Sequence, residues 1–477
     1  MTPCDPILRA FERVVRRDPL APLVLSPERR ATVGGVDALS RAAGCVLAAG
    51  AFPPGTPVGL AAANGPGFLA SVVALRRAGL AVLLLDARIP ETEALRILCP
   101  LGVPALLRCP SGWPAGPEDW TLTLAARSEC KGHSRAAFIK LTSGSTGTPR
   151  GIATPAEALL ADDEALTASM GLGAGDRFLA TIPLSHSYGL SSLAVPALVR
   201  GIPLVIPEEG NVYDPFVTAT HLGATFYPTV PAYLDALVRL SDPPPRPECL
   251  RLVITAGAPL SAATSESFRE RFGLPVHVFY GSSECGGICY DREGGAAEQG
   301  TVGSPVEGVR ITLVPIDGEG GEENPGCGTV TVESAAVSCG YLPEPDERLC
   351  GGRFRAGDLA TWQGGELKLR GRLDNVVNVK GKKVDPREVE GVLALLAGVD
   401  EAAVLGVGCA GRSGEMLRAV IACPPGQLTA EEVVAWCRSH LSAHKVPRSV
   451  ILVPALPRNA RGKLDRAALL ALGTRVS

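Results

Sequence analysis

Short apolar runs alternate with helical patterns in residues 56–108, and this alternation favours a parallel sheet covered by helices. VGLAAAN (58–64) and LAVLLLDA (80–87) predict buried strands, with a helix between them over 67–78. The pattern recurs in FLATIPLS (178–185), IPLVIP (202–207), ATFYPTVP (224–231), LRLVITAGAPL (250–260) and VHVFYGSSE (276–284). In open α/β sheets the ligand crevice lies beyond the carboxyl ends of the strands. Several of these runs end in Gly, Ser, Thr or Asn, so a binding site is expected at those ends.

A change of pattern along the chain predicts more than one folded unit, since 477 residues exceed one ordinary core. Residues 300–370 are rich in strand patterns. After them a small α+β unit is predicted, with helix 386–396, strands 402–407 and 417–422, helix 429–441 and strand 449–453. We therefore expect an α/β fold. A large N-terminal domain (1–373) has parallel-rich sheets packed with helices plus a β-rich subdomain, and a small α+β C-terminal domain covers 374–477, with the boundary at Asp374.

Composition excludes several classes of function. Lys plus Arg number 46 against 49 for Asp plus Glu, so the basic excess typical of nucleic-acid binding is missing. The longest apolar stretches, such as Gly79–Leu85, fall well short of the ~20 residues that span a bilayer. The N-terminal residues include an acid and several arginines where a signal peptide has its apolar core, which predicts a cytoplasmic protein. The 14 cysteines lack paired spacing and are expected to be small core residues in the reduced state.

The segment LTSGSTGTPRG (141–151) directly follows the apolar run AAFIK. Its hydroxyl residues and glycines allow backbone N–H groups and side-chain hydroxyls to surround phosphate oxygens, and an arginine adds positive charge. It is not a Walker loop, because Thr148-Pro149 stands where Lys-Ser/Thr would open a helix. The residues expected at the phosphates are Thr142, Ser143, Gly144, Ser145, Thr146, Gly147 and Arg150.

This ordering of residues resembles the adenylate-forming superfamily: acyl- and aryl-CoA synthetases, adenylation domains of peptide synthetases, and beetle luciferases. The family's loop usually ends in Pro-Lys-Gly, whereas Pro149-Arg150-Gly151 keeps the charge with a different side chain. The resemblance continues in order across nearly the whole chain. It implies activation of a carboxylic acid by ATP and Mg²⁺ as an acyl-adenylate, followed by transfer to the thiol of coenzyme A or of a carrier-protein phosphopantetheine.

Three further segments resemble the family's nucleotide site. TAGAPL (255–260) is similar to the strip on which adenine lies, and YGSSE (280–284) to the motif Y-G-x-T-E, which implies that Glu284 is the magnesium ligand. RAGDLA (355–360) resembles T-G-D and implies a carboxylate at the ribose hydroxyls. The ATP-binding residues implied here are Ala256, Gly257, Ala258, Tyr280, Gly281, Ser282, Ser283 and Asp358.

GRLDNVVNVKGKKVDPREVE (371–390) resembles the family's hinge segment. The resemblance implies that Arg372 contacts ribose or phosphate and that Asp374 is the hinge about which the small domain reorients. It also implies that Gly381 and Lys382 border the tunnel through which the thiol enters.

LPRNARGKLDRAAL (456–469) resembles the family's closing motif, and it implies that Lys463 is the catalytic lysine bridging carboxylate and α-phosphate. No covalent enzyme intermediate is required, so the expected work of the protein is to position the reactants and neutralise charge. The catalytic residues implied are Lys463, Glu284, His186 and Arg372.

LSHSYGL (184–190) resembles the segment that lines the junction of the acyl and nucleotide pockets. Amino-acid-activating relatives carry an Asp there; LSHSYGLSSL has no carboxylate, so α-amino acids are not expected. Acetate-type relatives place a Trp beside the Y-G-x-T-E glycine, whereas Gly281 and Ser282 leave space for a medium- or long-chain aliphatic acid or an aryl acid. The expected lining is His186, Tyr188, Tyr227, Gly281 and Ile288.

The sequence leaves two questions open: which molecule accepts the acyl group, and whether the protein is an enzyme at all. We favour CoA, because no carrier-attachment segment of the Asp-Ser-Leu type follows residue 470, although a separate carrier protein or an amine would leave the same sequence. A nucleotide-binding protein without chemistry is the rival class. It would be indicated by the loss of Lys463, Glu284 or Asp358, and all three are present.

Overall fold

The computed structural model describes residues 5–125, 136–142, 150–208, 210–315, 326–372, 377–379, 382–408, 415–441, 443–459 and 463–472. The chain divides into two compact units. The first consists of Met1–Thr312, Thr331–Ala356 and Trp362–Lys368, and the second of Leu313–Val330, Gly357–Thr361 and Leu369–Ser477. The predicted boundary at Asp374 lies outside the described residues and stays a prediction.

A nine-stranded sheet in the first unit contains the apolar runs between residues 178 and 284. With strands and helices numbered in chain order, its order is β15 (Ser304–Pro305), β14 (Gly286–Tyr290), β13 (Val276–Ser282), β12 (Leu252–Thr255), β11 (Phe226–Thr229), β9 (Phe178–Leu179), β10 (Leu204–Val205), β1 (Pro22–Leu25) and β2 (Arg30–Thr32). The pairs from β13 across to β1 are all parallel, as predicted. Antiparallel pairs occur only towards the two edges of this sheet.

A seven-stranded sheet contains the runs at 58–64 and 80–87. Its order is β18 (Gly340–Leu342), β8 (Arg150–Thr154), β7 (Phe138–Thr142), β4 (Ala81–Leu85), β3 (Pro57–Ala62), β5 (Ala105–Cys109) and β6 (Thr121–Leu124). Strands β3 and β4 are buried at every position, which explains why they read as continuous apolar runs. Their parallel pairing confirms the predicted strand–helix–strand unit.

Helices cover these sheets. Those of the first unit are α1 (Pro6–Arg17), α2 (Val33–Ala48), α3 (Pro66–Arg77), α4 (Glu91–Leu98), α5 (Ala156–Met170), α6 (Ser187–Gly189), α7 (Val195–Arg200), α8 (Asp214–Leu222), α9 (Pro231–Val238), α10 (Ala262–Phe272) and α11 (Ala296–Gln299). A π-helical turn, Leu190–Ala194, joins α6 to α7. Because side chains alternate along a strand, Phe226 of β11 lies in one core with α3 and β3, while Tyr227 lies in another with α8 and α10.

The region predicted to be β-rich forms a five-stranded sheet. Its strands are β16 (Arg310–Val314), β17 (Gly328–Glu333), β20 (Arg353–Gln363) and β19 (Leu349–Cys350) in that order, with β21 (Glu366–Arg372) paired to β20. The prediction for residues 300–370 is therefore confirmed.

The predicted small α+β unit is also confirmed. Its elements are β22 (Val377–Val379), β23 (Lys382–Val384), α12 (Pro386–Leu393), β24 (Glu401–Gly408), β25 (Glu415–Ala422), α13 (Ala430–His440), β26 (Ser449–Val453) and α14 (Arg466–Ala471). Helix α12 ends three residues before the predicted 396, because Leu395 and Leu396 donate to carbonyls three residues back in a tighter turn. Helix α13 starts after Thr429, which accepts a hydrogen bond from the Glu432 N–H in a capping box.

The cysteines within the described ranges are all free thiols. The expectation that they are core residues holds for the five buried ones and is wrong for the exposed ones, Cys45, Cys99, Cys249 and Cys350. Burial raises the pKa of Cys109 to about 12 and that of Cys289 still further, so these two thiols keep their protons. None of the helices in the described ranges combines the length and the apolar character that crossing a bilayer requires.

Asp163 of α5 is a buried carboxyl whose ionisation opposes folding. Its side chain is 3% exposed and pairs with Arg200 at 2.7 Å, while Oδ1 lacks a hydrogen-bond partner. Burial raises its pKa to about 6. A carboxyl with a raised pKa supports the folded state below its unfolded pKa, and this contribution is lost as the pH rises through about 6.

We expect Asp163→Asn to gain stability relative to the parent protein as the pH rises from 4.5 to 8. The whole shift of about two pKa units corresponds to about 3 kcal/mol of unfolding free energy, of which about 2 kcal/mol falls between pH 4.5 and 8. Thermal midpoints of the two proteins, measured across this pH range, check the expectation. A gap between the midpoints that does not change with pH would contradict it.

Candidate active site

Two predicted nucleotide segments leave neighbouring strands at the same edge of the nine-stranded sheet. The register aligns Thr229 of β11 with Thr255 of β12 and Thr255 with Val278 of β13. The segments 256–258 and 280–284 therefore begin side by side, as expected for the carboxyl ends of parallel strands.

The segment that follows β12 leaves open space. Gly257 has φ +87°, and a Cβ built there meets nothing within 4 Å. Ala256 is buried and Ala258 is exposed. Thr255, which precedes them, is 1% exposed and its Oγ1 lacks a hydrogen-bond partner. The open space at Gly257 has room for a flat ring over this strip.

A hydrogen bond brings the predicted acyl segment to the predicted magnesium segment. Ser187 Oγ donates to Ser283 Oγ at 2.7 Å. The exposed His186 caps α6, where Nδ1 accepts from the backbone N–H of Tyr188 at 3.4 Å. The Tyr188 ring lies 5.8 Å from that of Phe279. His186 and Tyr188 thus lie beside the strand that carries the segment 280–284.

Two hydroxyl groups hold the carboxylate of Glu284. Ser282 Oγ donates to Oε2, and Tyr341 Oη donates to Oε1 at 2.8 Å. The carbonyl of Glu284 accepts from the Ser338 N–H at 2.8 Å. Both side chain and main chain of this residue are therefore fixed by donors from two separate parts of the chain.

A buried lysine and a buried aspartate lie behind Glu284. Lys140 of β7 is 3% exposed; burial lowers its pKa, and the charges of Asp162 and Glu284 act in the opposite direction. Asp162 of α5 is 2% exposed, and burial raises its pKa. Its Oδ1 accepts from the Gly287 N–H at 2.9 Å, and a Cβ on Gly286 would lie 2.3 Å from the same carboxylate. These contacts tie α5 to the strand that follows Glu284.

The ends of the predicted phosphate loop are joined by strand pairing. Thr142 pairs with Arg150 at the point where β7 and β8 meet the loop. The predicted phosphate residues Ser143, Gly144, Ser145, Thr146 and Gly147 lie outside the described residues, and only the backbone of Thr142 is described.

Arg150 is engaged within the first unit. It forms an ion pair with Asp346 at 3.0 Å, and its guanidinium carbon lies 4.1 Å from the centre of the Tyr341 ring. Asp346 also binds Arg348, and these contacts hold its pKa below the usual range. The structure therefore places the predicted phosphate cation against an aromatic ring and a carboxylate.

The residues predicted to line the acyl pocket differ in burial: Tyr227 and Ile288 are fully buried, whereas Gly281 is exposed. Tyr227 is fully buried in the core with α8 and α10, where its hydroxyl accepts from Thr229 at 2.9 Å. Ile288 is fully buried on β14. Gly281 is exposed, but a Cβ there would lie 2.8 Å from the Gly286 carbonyl oxygen. Close strand contact thus favours glycine at 281, in addition to any role in leaving space for an acid.

In the second unit, two hydrogen bonds join Lys463 to Asn459. The Lys463 N–H donates to Asn459 Oδ1 at 3.1 Å, and the Asn459 N–H donates to the Lys463 carbonyl at 2.8 Å. Arg458 binds both carboxylate oxygens of Glu401, at 2.6 and 2.8 Å, which attaches Arg458 to β24. The Lys463 side chain is exposed.

The other predicted residues of the second unit are only partly described. Asp358 is half-buried on β20, while Arg372 ends β21 and Lys382 begins β23. Only the backbone of Arg372 and Lys382 is described, and Asp374 and Gly381 lie outside the described residues. Their roles stay predictions.

Two family models match the chain, the first over most of the N-terminal part and the second over the C-terminal part. The model described as AMP-binding enzyme matches residues 11–342, and the AMP-binding enzyme C-terminal domain matches residues 388–463. The chain belongs to the AMP-binding enzyme family. The family's first model includes Glu284 and Tyr341, and its second ends at Lys463.

This family member is similar over its whole length to known proteins. It is 28% identical, over 97% of its length and 98% of the relative's, to the 3-[(3aS,4S,7aS)-7a-methyl-1,5-dioxo-octahydro-1H-inden-4-yl]propanoyl:CoA ligase of Mycobacterium tuberculosis. It superposes on o-succinylbenzoate CoA synthetase of Bacillus subtilis, solved with its acyl-adenylate intermediate, with TM-score 0.83, 24% identity and coverage of 96% and 97%. An amide bond synthetase of Marinactinospora thermotolerans gives TM-score 0.80, 26% identity and coverage of 98% and 100%.

The o-succinylbenzoate CoA synthetase of Bacillus subtilis has also been solved with ATP and a magnesium ion, which raises the question whether the residues around Glu284 meet the requirements of such an ion. The described residues contain no group of three or more acidic, histidine or cysteine side chains that could hold a metal alone. Mg²⁺ commonly binds one or two carboxylates together with substrate phosphates and water. Glu284 accepts hydroxyl hydrogen bonds from Ser282 and Tyr341, and a carboxylate has about four acceptor positions. It thus retains acceptor capacity for a metal that the nucleotide brings.

Reasoning from the sequence missed the contacts that surround Glu284. Lys140 is a charged residue inside the apolar run before the phosphate loop, and Asp162 is a charged residue on the buried side of a helix; both are signals of a buried polar cluster. Tyr341 gave no signal, because it lies 57 residues away in sequence from the carboxylate that it contacts.

Proposed function

We propose that this protein is an AMP-forming acid–CoA ligase. The observation that carries the proposal is the carboxylate of Glu284, held by two hydroxyls at the strand edge where the adenine strip also begins. The membership of the AMP-binding enzyme family and the full-length similarity to a named CoA ligase support it.

The proposed reaction has two steps. A carboxylate oxygen of the acid attacks the α-phosphorus of ATP, a new P–O bond forms, and pyrophosphate leaves. The thiol of CoA then attacks the acyl carbon, AMP leaves, and the thiol proton passes to solvent. An acid, ATP and CoA thus yield a thioester, AMP and pyrophosphate.

Each residue has a proposed role in these steps. Lys463 neutralises charge between the carboxylate and the α-phosphate, Asp358 binds the ribose hydroxyls, and Arg372 binds ribose or phosphate. Glu284 would hold Mg²⁺, which when bound neutralises phosphate charge. His186 is proposed to line the junction between the acid and the nucleotide. Asp374 is the proposed hinge about which the small domain reorients between the two steps. Gly381 and Lys382 are proposed to border the tunnel through which the thiol enters.

The proposed acid is a medium- or long-chain aliphatic acid or an aryl acid. Two of the similar proteins are named for acids that carry rings, which supports including ring-bearing acids in any test. Exchange of labelled pyrophosphate into ATP, measured across a panel of acids, tests the proposal. Exchange that depends on one class of acid supports it; exchange with none would contradict it.

Amide formation is a second candidate, because an amide bond synthetase superposes over 98% of this chain. A carrier-protein thiol is a third acceptor. Supplying CoA, a phosphopantetheinylated carrier protein and simple amines separately to the enzyme–adenylate discriminates them. We expect CoA to give the fastest release of AMP, and faster release with an amine would replace the ligase proposal by the second candidate.

A further inference from the structure

The hydroxyl of Tyr341 is a proton donor aimed at Glu284. It lies 2.8 Å from Oε1 of that carboxylate. A phenol hydroxyl ionises only at about pH 10, so at neutral pH the Tyr341 hydroxyl keeps its proton and is the donor in this contact. Hydrogen bonds to a charged acceptor are about twice as strong as neutral ones. This bond therefore restricts the orientation of the carboxylate.

The ring of Tyr341 is itself held by Arg150. The guanidinium stacks over the ring at 4.1 Å, and Arg150 also binds the Asp346 carboxylate at 3.0 Å and donates to the Glu344 carbonyl at 3.2 Å. A planar guanidinium can stack and form these directed hydrogen bonds together, which a lysine ammonium cannot do.

Strand pairing places Tyr341 on the strand next to β8, which begins where the predicted phosphate loop ends. Tyr341 of β18 pairs with Ile152 of β8, the strand that leaves the loop. A hydroxyl pair, Thr154 with Ser338 at 2.9 Å, lies further along the same two segments. Strand β8 therefore contacts Tyr341 through strand pairing, and Tyr341 contacts Glu284 through its hydroxyl.

We propose that Tyr341 is a positioning residue, which orients the Glu284 carboxylate towards the magnesium of bound MgATP and is held in place by Arg150. This inference rests on the proposed function, in which Glu284 is the magnesium ligand. Arg150 then acts on the nucleotide site through an aromatic ring and not only through its charge.

The test replaces Tyr341 by phenylalanine, which removes one oxygen and keeps the ring. We expect Tyr341→Phe to need about tenfold more Mg²⁺ for half-maximal binding of ATP, measured by calorimetry, because a hydrogen bond to a charged group is lost. The same shift is expected in the Mg²⁺ dependence of pyrophosphate exchange, with the KM for the acid unchanged. Tyr233→Phe is the matched control, since its hydroxyl donates to the main-chain carbonyl of Val212, and it should leave the Mg²⁺ dependence unchanged.

Two more variants separate the possible outcomes. Arg150→Lys keeps the charge but loses the stacking, and a shift in the same direction as Tyr341→Phe supports the role assigned to Arg150; an unchanged Mg²⁺ requirement overturns that role. Glu284→Gln should lose most of the Mg²⁺-dependent binding. If Glu284→Gln loses it and Tyr341→Phe does not shift, this inference alone fails. If Glu284→Gln keeps its Mg²⁺ requirement, the magnesium assignment within the proposed function fails and the inference fails with it.

Discussion

Replacing Lys463 by alanine is expected to lower acid-dependent pyrophosphate exchange by about 100- to 1,000-fold, because one preorganised charge at a developing transition state contributes on this order. Transfer of the acyl group from a preformed adenylate to CoA should be lowered far less, since the lysine is proposed to act only in the first step. Lys463 is exposed, so the fold should tolerate the change. The two half-reactions are measured separately, as pyrophosphate exchange and as thioester formation from a synthetic acyl-adenylate.

Lys445→Ala is the matched control for this experiment. Lys445 lies in the same unit and pairs with Glu388 at 2.7 Å. A surface ion pair of this kind contributes about 0–1 kcal/mol to stability, so neither half-reaction should change much. An equal loss of both half-reactions in Lys463→Ala would refute the proposed role of that lysine.

Gly286→Ala is expected to destabilise the first unit by about 3–5 kcal/mol, the sum of a positive φ for a side chain and the disruption of a buried carboxylate. Gly286 has φ +71°, and an added Cβ would lie 2.3–2.5 Å from the carboxylate of Asp162. That carboxylate cannot retreat cheaply, because it is buried and accepts from the Gly287 N–H. Thermal unfolding followed by circular dichroism measures the loss, and pyrophosphate exchange should fall as well, since Glu284 lies two residues earlier.

Gly308→Ala is the control that separates the cost of the positive φ from the cost of the contact with Asp162. Gly308 has a similar φ of +73°, but an added Cβ would meet nothing within 4 Å. The positive φ alone costs about 1–2 kcal/mol. Equal destabilisation by the two substitutions would show that the contact with Asp162 contributes nothing, contrary to this account.

The strands could be predicted because burial leaves a local signal. Strands β3 and β4 are apolar at every position, since both faces of a parallel sheet are covered. Strand β26 was predicted at its observed bounds, Ser449–Val453, from its apolar run, although it is only half-buried: alternate residues pack against two different clusters of the small unit. The end of α12 was missed because its last turn tightens without any change in the sequence pattern.

The meeting of distant segments could be predicted only where motifs occur in a known order. Resemblance implied that Ser283 and His186 belong to one site, and Ser187, next to His186, bonds Ser283. The partners of Arg150 could not be anticipated in this way. Its ion pair with Asp346 joins residues 196 apart, and the strand β18 that brings them together is three residues long. Such contacts depend on how strands pair, which local patterns do not encode.

In the proposed reaction a carboxylate oxygen of the acid attacks the α-phosphorus of ATP. The most direct measurement supplies an acid labelled with oxygen-18 in its carboxylate, together with ATP and CoA, and analyses the products by mass spectrometry. We expect one labelled oxygen in AMP and none in pyrophosphate, because the anhydride oxygen stays with phosphorus when the thiol takes the acyl group. Unlabelled AMP, or label in inorganic phosphate, would contradict the account.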